Sequence, residues 1–265
     1  MKIAIGIEYD GSRFHGWQSQ PSGDTVQDHL ERALASIAGE QIRLAAAGRT
    51  DAGVHAIAQV AHFETAAERP VSAWVRGVNT LLPQAVAVQW AVSVADDFHA
   101  RYSALSRTYR YLLYNHAVRP ALHCGRVGWF HLPLDPAAMR AAAAQLAGEH
   151  DFSAFRSSEC QAKSPVRSLR SWVIEQRGAY LCFEFTANGF LHHMVRNIVG
   201  CLVFVGKGKY PPGWLGEVLA SRDRRLAAPT FSPDGLYLSA VEYASGWKLP
   251  AFAPKLVFFP EQVPV

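Results

Sequence analysis

Gly48-Arg49-Thr50-Asp51-Ala52-Gly53-Val54-His55 lies between two stretches, residues 41–47 and 56–64, that read as strands. Two glycines flank a single carboxylate in a short connection, which permits tight backbone turns and close approach of a ligand. Arg49 places a cation two residues before Asp51, and His55 a polar side chain four residues after it. A glycine-flanked aspartate has two readings. One is a hairpin loop in which Asp51 makes an Asx-turn. The other is an ionised nucleophile held close to its target.

Working outward, residues 1–7 alternate as a strand does and run into the turn Tyr9-Asp10-Gly11-Ser12. Asp24 is the expected N-cap of the next helix, with Gln27 at the capping-box position. Val26, Leu30, Ala33, Leu34 and Ile37 then recur at helical spacing as far as Gly39. A second helix is expected over residues 72–81, ending before Pro83, and a strand over 85–93. Beyond Asp97 a strand near 107–114 turns Tyr109, Tyr111 and Leu113 to one side and Arg110, Leu112 and Tyr114 to the other. Asp135-Pro136 opens a helix in the favoured N-cap and N1 order, which Gly148 is expected to close. Residues 167–176 and 179–186, joined by Arg177-Gly178, form a hairpin. Residues 188–205 read as one long apolar helix carrying the adjacent His192 and His193, and a short helix follows Pro211-Pro212.

This pattern predicts an α+β protein of two similar halves, each a mostly antiparallel sheet with helices packed on one face. The boundary is placed near residue 105, giving an N-terminal half, 1–105, and a C-terminal half, 106–265.

Composition narrows the class. The 265 residues are 49% hydrophobic and 18% charged, which is ample for a core and unlike a disordered chain. No apolar run approaches the roughly 18–20 residues of a membrane span. The N-terminus shows no signal-peptide pattern, so a soluble, cytoplasmic protein is expected. Cys124, Cys160, Cys182 and Cys201 are widely spaced and read as free thiols rather than a zinc or disulfide set. His192 and His193, adjacent on a helix, do not ligate from one face, so no metal set is found. Residues 1–100 carry seven Lys/Arg against eleven Asp/Glu, and the remainder nineteen against eleven. A C-terminal half so basic suits a polyanionic partner.

The segment Gly48–His55, continued by Ala56, resembles the active-site motif of the tRNA pseudouridine synthase A family. Further matches occur in order: Tyr9-Asp10-Gly11, Gly16-Trp17-Gln18, Thr25-Val26-Gln27, Phe98-His99-Ala100-Arg101-Tyr102 and Tyr109-Arg110-Tyr111. Gly148-Glu149-His150-Asp151-Phe152, Gly189-Phe190-Leu191, Met194-Val195-Arg196-Asn197 and Gly235-Leu236-Tyr237-Leu238 complete a resemblance spanning nearly the whole chain.

The resemblance implies the pseudouridine synthase fold, with an active-site cleft between the halves. It also implies isomerisation of uridine to pseudouridine at positions 38, 39 and 40 of the tRNA anticodon stem-loop. No cofactor is called for, because an isomerisation needs neither redox partner nor energy donor. Asp51 becomes the catalytic nucleophile, and Tyr109 the ring that stacks on the flipped base. Arg196 lies off the apolar stripe of its helix. On residue chemistry alone it is either a structural or snorkelling arginine or the cation of a catalytic carboxylate; the resemblance pairs it with Asp51. RNA contacts are expected from Arg49, from Phe98, His99, Ala100, Arg101 and Tyr102, and from Cys160, Gln161, Ala162, Lys163 and Ser164. A homodimer is implied, with tRNA running across both subunits. The alternatives are a non-catalytic RNA-binding module and a glycoside hydrolase. The first leaves a glycine-flanked Asp51 unexplained, and the second lacks an obvious partner carboxylate in the motif.

Overall fold

A computed structural model describes residues 1–250 of the chain, which form two compact units. In chain order the main elements are β1 (Lys2–Tyr9), α1 (Val26–Ala38), β2 (Ala45–Ala46), β3 (His55–Glu64), α2 (Val78–Leu81), β4 (Val86–Val94) and β5 (Ala104–Asn115). They continue with β6 (Gly128–Phe130), α3 (Pro136–Ala143), β7 (Gly148–Asp151), β8 (Val166–Arg177) and β9 (Tyr180–Ala187). Helices α4 (Met194–Gly206) and α5 (Trp214–Ser221) and strand β10 (Leu236–Tyr243) follow. The class is α+β, as the sequence predicts.

The first unit holds Met1–Leu105 and the described residues from Tyr237 on. β1 pairs antiparallel with both β3 and β4. Along β1 the period-2 alternation turns Ile3, Ile5 and Ile7 to one face, opposite Phe63, Ala61 and Gln59 of β3. The helical layer covers this face: Trp74, from the turn Ala73–Gly77 that leads into α2, meets Phe63 edge-on at 5.3 Å. Such a pair adds about 0.5–1.5 kcal/mol beyond the area it buries. The other face holds Ala4 and Val60 and is closed by Phe98 and Ala100, with Tyr243 donating from its hydroxyl to the Ala100 carbonyl at 2.6 Å. Covered on both sides, β3 is buried from His55 to Phe63.

The second unit contains Ser106–Leu236. Its sheet order is β5-β9-β8-β7, all antiparallel, with β6 added parallel to β5. Tyr109, Tyr111 and Leu113 stand opposite Phe185, Phe183 and Leu181, and all six are buried. Helix α3 is tied to the sheet by Arg140, whose Nε donates to the Ile174 carbonyl at 2.8 Å. Pro136 sits at N1 behind Asp135, whose carboxylate accepts from the Ala137 and Ala138 amides.

Several expectations are corrected. Thr25, not Asp24, caps α1: its hydroxyl oxygen accepts from the Asp28 amide at 3.2 Å and donates to the Asp28 carboxylate at 2.6 Å. Asp24 instead contacts His29. The strand expected at 41–47 contracts to Ala45–Ala46. Gly148 opens β7, because α3 already gives way to a 3-10 turn at Ala144. The long apolar helix starts only at Met194, preceded by His193 in a left-handed conformation with φ 63°. His192 and His193 therefore precede the helix, their ring centroids 4.0 Å apart, and helical geometry does not keep their rings on different faces. Finally, the segment from Tyr237 on, grouped by sequence with residues 106–265, joins the first unit, where Tyr237 and Leu238 pair parallel with His55 and Ala56.

Candidate active site

Asp51 lies on the loop that feeds β3. Its carbonyl accepts from the Val54 amide at 3.1 Å, closing a four-residue turn in which Gly53 takes φ 79° at the third position. That is the conformation for which glycine carries no steric cost. Asp51 is half-buried, with Val54 and His55 buried behind it and Arg49 exposed in front.

The loop is pinned from several sides by residues distant in sequence. The Tyr9 hydroxyl, at the end of β1, lies 2.8 Å from Thr50 Oγ1, directly before Asp51. Burial pushes the Tyr9 phenol well above its ordinary range, so it is a neutral hydroxyl at any physiological pH. Gln59 of β3 donates from Nε2 to the Gly48 carbonyl at 2.7 Å and to Tyr9 at 3.4 Å. The Trp17 amide donates to the Thr50 carbonyl at 3.0 Å. Gly16, with φ 86°, lies so close that a Cβ there would stand 2.8 Å from the Thr50 oxygen. The backbone on either side of Asp51 is therefore held by β1, β3 and the 14–17 loop together.

His55 completes the support. Its Nδ1 lies 3.1 Å from the Gly11 amide and 3.2 Å from a carboxylate oxygen of Asp10, while its ring stacks on Tyr237 at 4.6 Å. One Nδ1 does not serve both neighbours at once: protonated, it donates to Asp10; unprotonated, it accepts from Gly11. The His55 contact, with hydrogen bonds from Ser12, holds the Asp10 carboxyl far below the usual carboxylate range despite the opposing effect of burial.

In the second unit Tyr109, on β5, is 8% exposed, with Phe190 edge-on at 5.0 Å. Arg196, in the first turn of α4, is half-buried rather than buried. Its Nε donates to the Phe231 carbonyl at 2.9 Å, and the Phe231 amide returns a bond to the Arg196 carbonyl at 3.2 Å.

The residues expected to meet RNA divide. Phe98 and Ala100 are fully buried in the first unit's core, which removes them as stacking or contact surfaces: their apolar side chains anchor the loop. Arg101 and Tyr102 are exposed, Tyr102 at 76%, with the guanidinium over the Tyr102 ring. His99 turns its Nδ1 toward the Arg101 and Tyr102 amides, shaping the loop tip. Gln161, Lys163 and Ser164 are exposed, whereas Cys160 and Ala162 are half-buried and offer their carbonyls to Arg156. The roles of Tyr9, Thr50 and Gln59 escape a reading of the sequence. Tyr9 appears there in a matching motif, but nothing local ties it to a loop some forty residues on.

The glycine-flanked, half-buried carboxylate of Asp51 thus sits on a loop braced from several sides, and comparison with known proteins names the class. The tRNA pseudouridine synthase family model matches residues 5–103 and 142–244, and the chain belongs to that family. It is similar to the tRNA pseudouridine synthase A of Aromatoleum aromaticum, 61% identical over 250 residues, covering 94% of this chain and 95% of that one. The Burkholderia cenocepacia protein of the same name is 58% identical, with 94% and 93% covered. That of Thiobacillus denitrificans is 57% identical over 258 residues, with 97% and 99% covered. Among the described residues no helix is long and apolar enough to cross a membrane.

Proposed function

We propose that this protein isomerises uridine to pseudouridine at positions 38, 39 and 40 in the anticodon stem-loop of tRNA. The N1–C1′ bond breaks, the base reorients, C5 joins C1′ and gives up its proton, and N1 takes one in exchange, so that the product is an isomer of the substrate. Asp51 is the nucleophile. Arg196 supplies the cation that keeps it ionised, since an adjacent guanidinium lowers a carboxylate pKa by roughly 1–3 units. Tyr109 stacks on the flipped base, an interaction worth roughly 1–3 kcal/mol that offsets part of the cost of unstacking. Arg49, Arg101, Tyr102 and the loop Cys160–Ser164 meet the RNA. The protein acts in the cytoplasm as a homodimer across which the tRNA runs.

The observation that carries this reading is the bracing of the Asp51 loop in a chain of this family. The tethers at Gly48, Thr50 and Val54 fix the backbone around one carboxylate, as positioning catalysis requires. The test is tritium release from tRNA labelled at uridine C5. Release that vanishes in Asp51→Ala while tRNA binding persists supports the isomerase; tRNA binding without release in the unaltered protein refutes it. Mapping pseudouridine in tRNA from cells lacking the gene tests the positions.

A further inference from the structure

The second unit contains a cavity of about 500 Å³ lined by Ser153, Arg156, Ser157, Ser158, His193, Arg224 and Thr230. Its size is that of a ligand site, but such sites are ordinarily apolar with a few polar groups. This one presents two guanidiniums, three serines, a threonine and a histidine.

Both arginines bond only to neutral acceptors. Arg156 donates from Nη2 to the carbonyls of Cys160 and Ala162. Arg224 donates from Nη1 to the carbonyls of Ala227 and Ala228, and from Nη2 to Asn197 Oδ1 at 3.0 Å and Thr230 Oγ1 at 3.1 Å. Among the described residues no carboxylate pairs with either. Asp151, beside the cavity, accepts from the Ser153 amide at 2.9 Å and faces Arg222 at 3.5 Å, not either lining arginine. Withdrawing a cation from water costs free energy that an opposite charge offsets, fully for a buried arginine and in part for a half-buried one. Here two share a cavity and neither is neutralised.

The hydrogen-bond inventory separates their roles. All four Nη protons of Arg224 are engaged, so that side chain contributes a fixed positive charge. Arg156 retains Nε and Nη1 as donors, and Ser157, whose Oγ accepts from the Glu159 amide, retains its hydroxyl proton. At the nearby Cys160 thiol, burial raises the pKa, yet the His192 and Ala162 amides first, and Arg156 after them, bring it below its ordinary value.

We infer that this cavity binds a phosphodiester of the tRNA backbone, held by Arg156 and the serine hydroxyls against the fixed charge of Arg224. The inference rests on the tRNA reading above and adds to it a contact outside every motif named there. Its shared chemistry is that of any phosphate oxyanion, so the test must separate RNA from a free anion.

Ser158→Asp places a carboxylate in the cavity without touching either arginine's tethers, Ser158→Asn is its uncharged counterpart, and Arg156→Gln removes the donor directly. Circular dichroism establishes that each variant is folded. Expected is a roughly tenfold weaker Kd for tRNA in Ser158→Asp and Arg156→Gln but not in Ser158→Asn. The slope of log K against log salt should fall by about 0.7–0.9, the loss of one phosphate contact. Unchanged tRNA affinity and slope in folded Ser158→Asp overturns the inference. So does thermal stabilisation of the unaltered protein by inorganic phosphate, abolished in Ser158→Asp, with tRNA affinity unchanged: the cavity would then take a free anion. Tritium release by the unaltered protein is scored separately, and its absence would refute the isomerase reading, leaving the cavity to be judged by the binding data.

Discussion

Arg196 and Phe231 exchange hydrogen bonds in opposite senses, side chain to carbonyl at 2.9 Å and amide to carbonyl at 3.2 Å. The guanidinium plane is thereby oriented by the backbone of a loop some thirty-five residues later. A lysine has the charge but no Nε–H to be held this way. Arg196→Lys is therefore expected to remain folded and to lose turnover on the order of a hundredfold, the scale of effect that misplacing a catalytic group produces. If Arg196 supplies the cation proposed above for Asp51, the acidic limb of the pH–rate profile in Arg196→Gln should move up by roughly 1–3 units. A profile unmoved in that variant would separate Arg196 from Asp51.

Tyr9→Phe removes a hydroxyl from a buried cluster and leaves Thr50 Oγ1 and Gln59 Nε2 short of a partner. The expected cost is about 1–3 kcal/mol of stability, read from denaturant unfolding. Turnover at saturating tRNA should drop on the order of tenfold, because the backbone before Asp51 loosens. The tRNA Kd should hold.

Gly16→Ala tests the close approach on the loop's other side. A Cβ at φ 86° is strained, and here it also meets the Thr50 oxygen at 2.8 Å. The strain alone costs about 1–3 kcal/mol, so Tm should fall by several degrees and turnover with it. A variant as active and stable as the parent would show that the 14–17 loop does not brace Asp51.

His62 predicts a pH response. Burial first, then the charges of His99 and Lys2, push its pKa down to about 4, against opposition from the Ala45 carbonyl and Glu64. The unfolded chain binds this proton near pH 6.5 and the folded protein only near 4, so protonation favours unfolding between the two. Stability should decline as pH falls through that window and gain no further loss from His62 below it. Folded His62→Gln should flatten this part of the curve; an unchanged slope would assign the loss to other groups.

What the sequence reveals here is local. The β8–β9 hairpin, the Asp135-Pro136 cap and the apolar spacing of α1 depend on neighbours a few residues apart, and they read correctly. Asp24 and Thr25 are both good caps, and only the path of the chain decides for Thr25. The run Gly189–Leu191 carries apolar residues as a helix would, but the left-handed turn at His193 delays α4, and no periodicity signals it. Phe98 and Ala100 look like part of a binding loop until packing buries them. At the site, Asp51 stands out through its glycines, whereas Tyr9 and Gln59 act across 41 and 50 residues of sequence. Arg156 and Arg224 are ordinary loop arginines until folding lines one cavity with both.

The pairing of Tyr237 and Leu238 with the start of β3 gives the protein a timetable. During synthesis the Asp51 loop leaves the ribosome early, but the strand that lies beside its exit, and the Tyr237 ring that covers His55, arrive some 180 residues later. At roughly 5–20 residues per second that is a wait of about ten to forty seconds. The first unit made is the last one finished, and until then the start of β3, beside the Asp51 loop, has an open edge. A chain released before Tyr237 would carry every residue of the Asp51 loop on a sheet that is never closed.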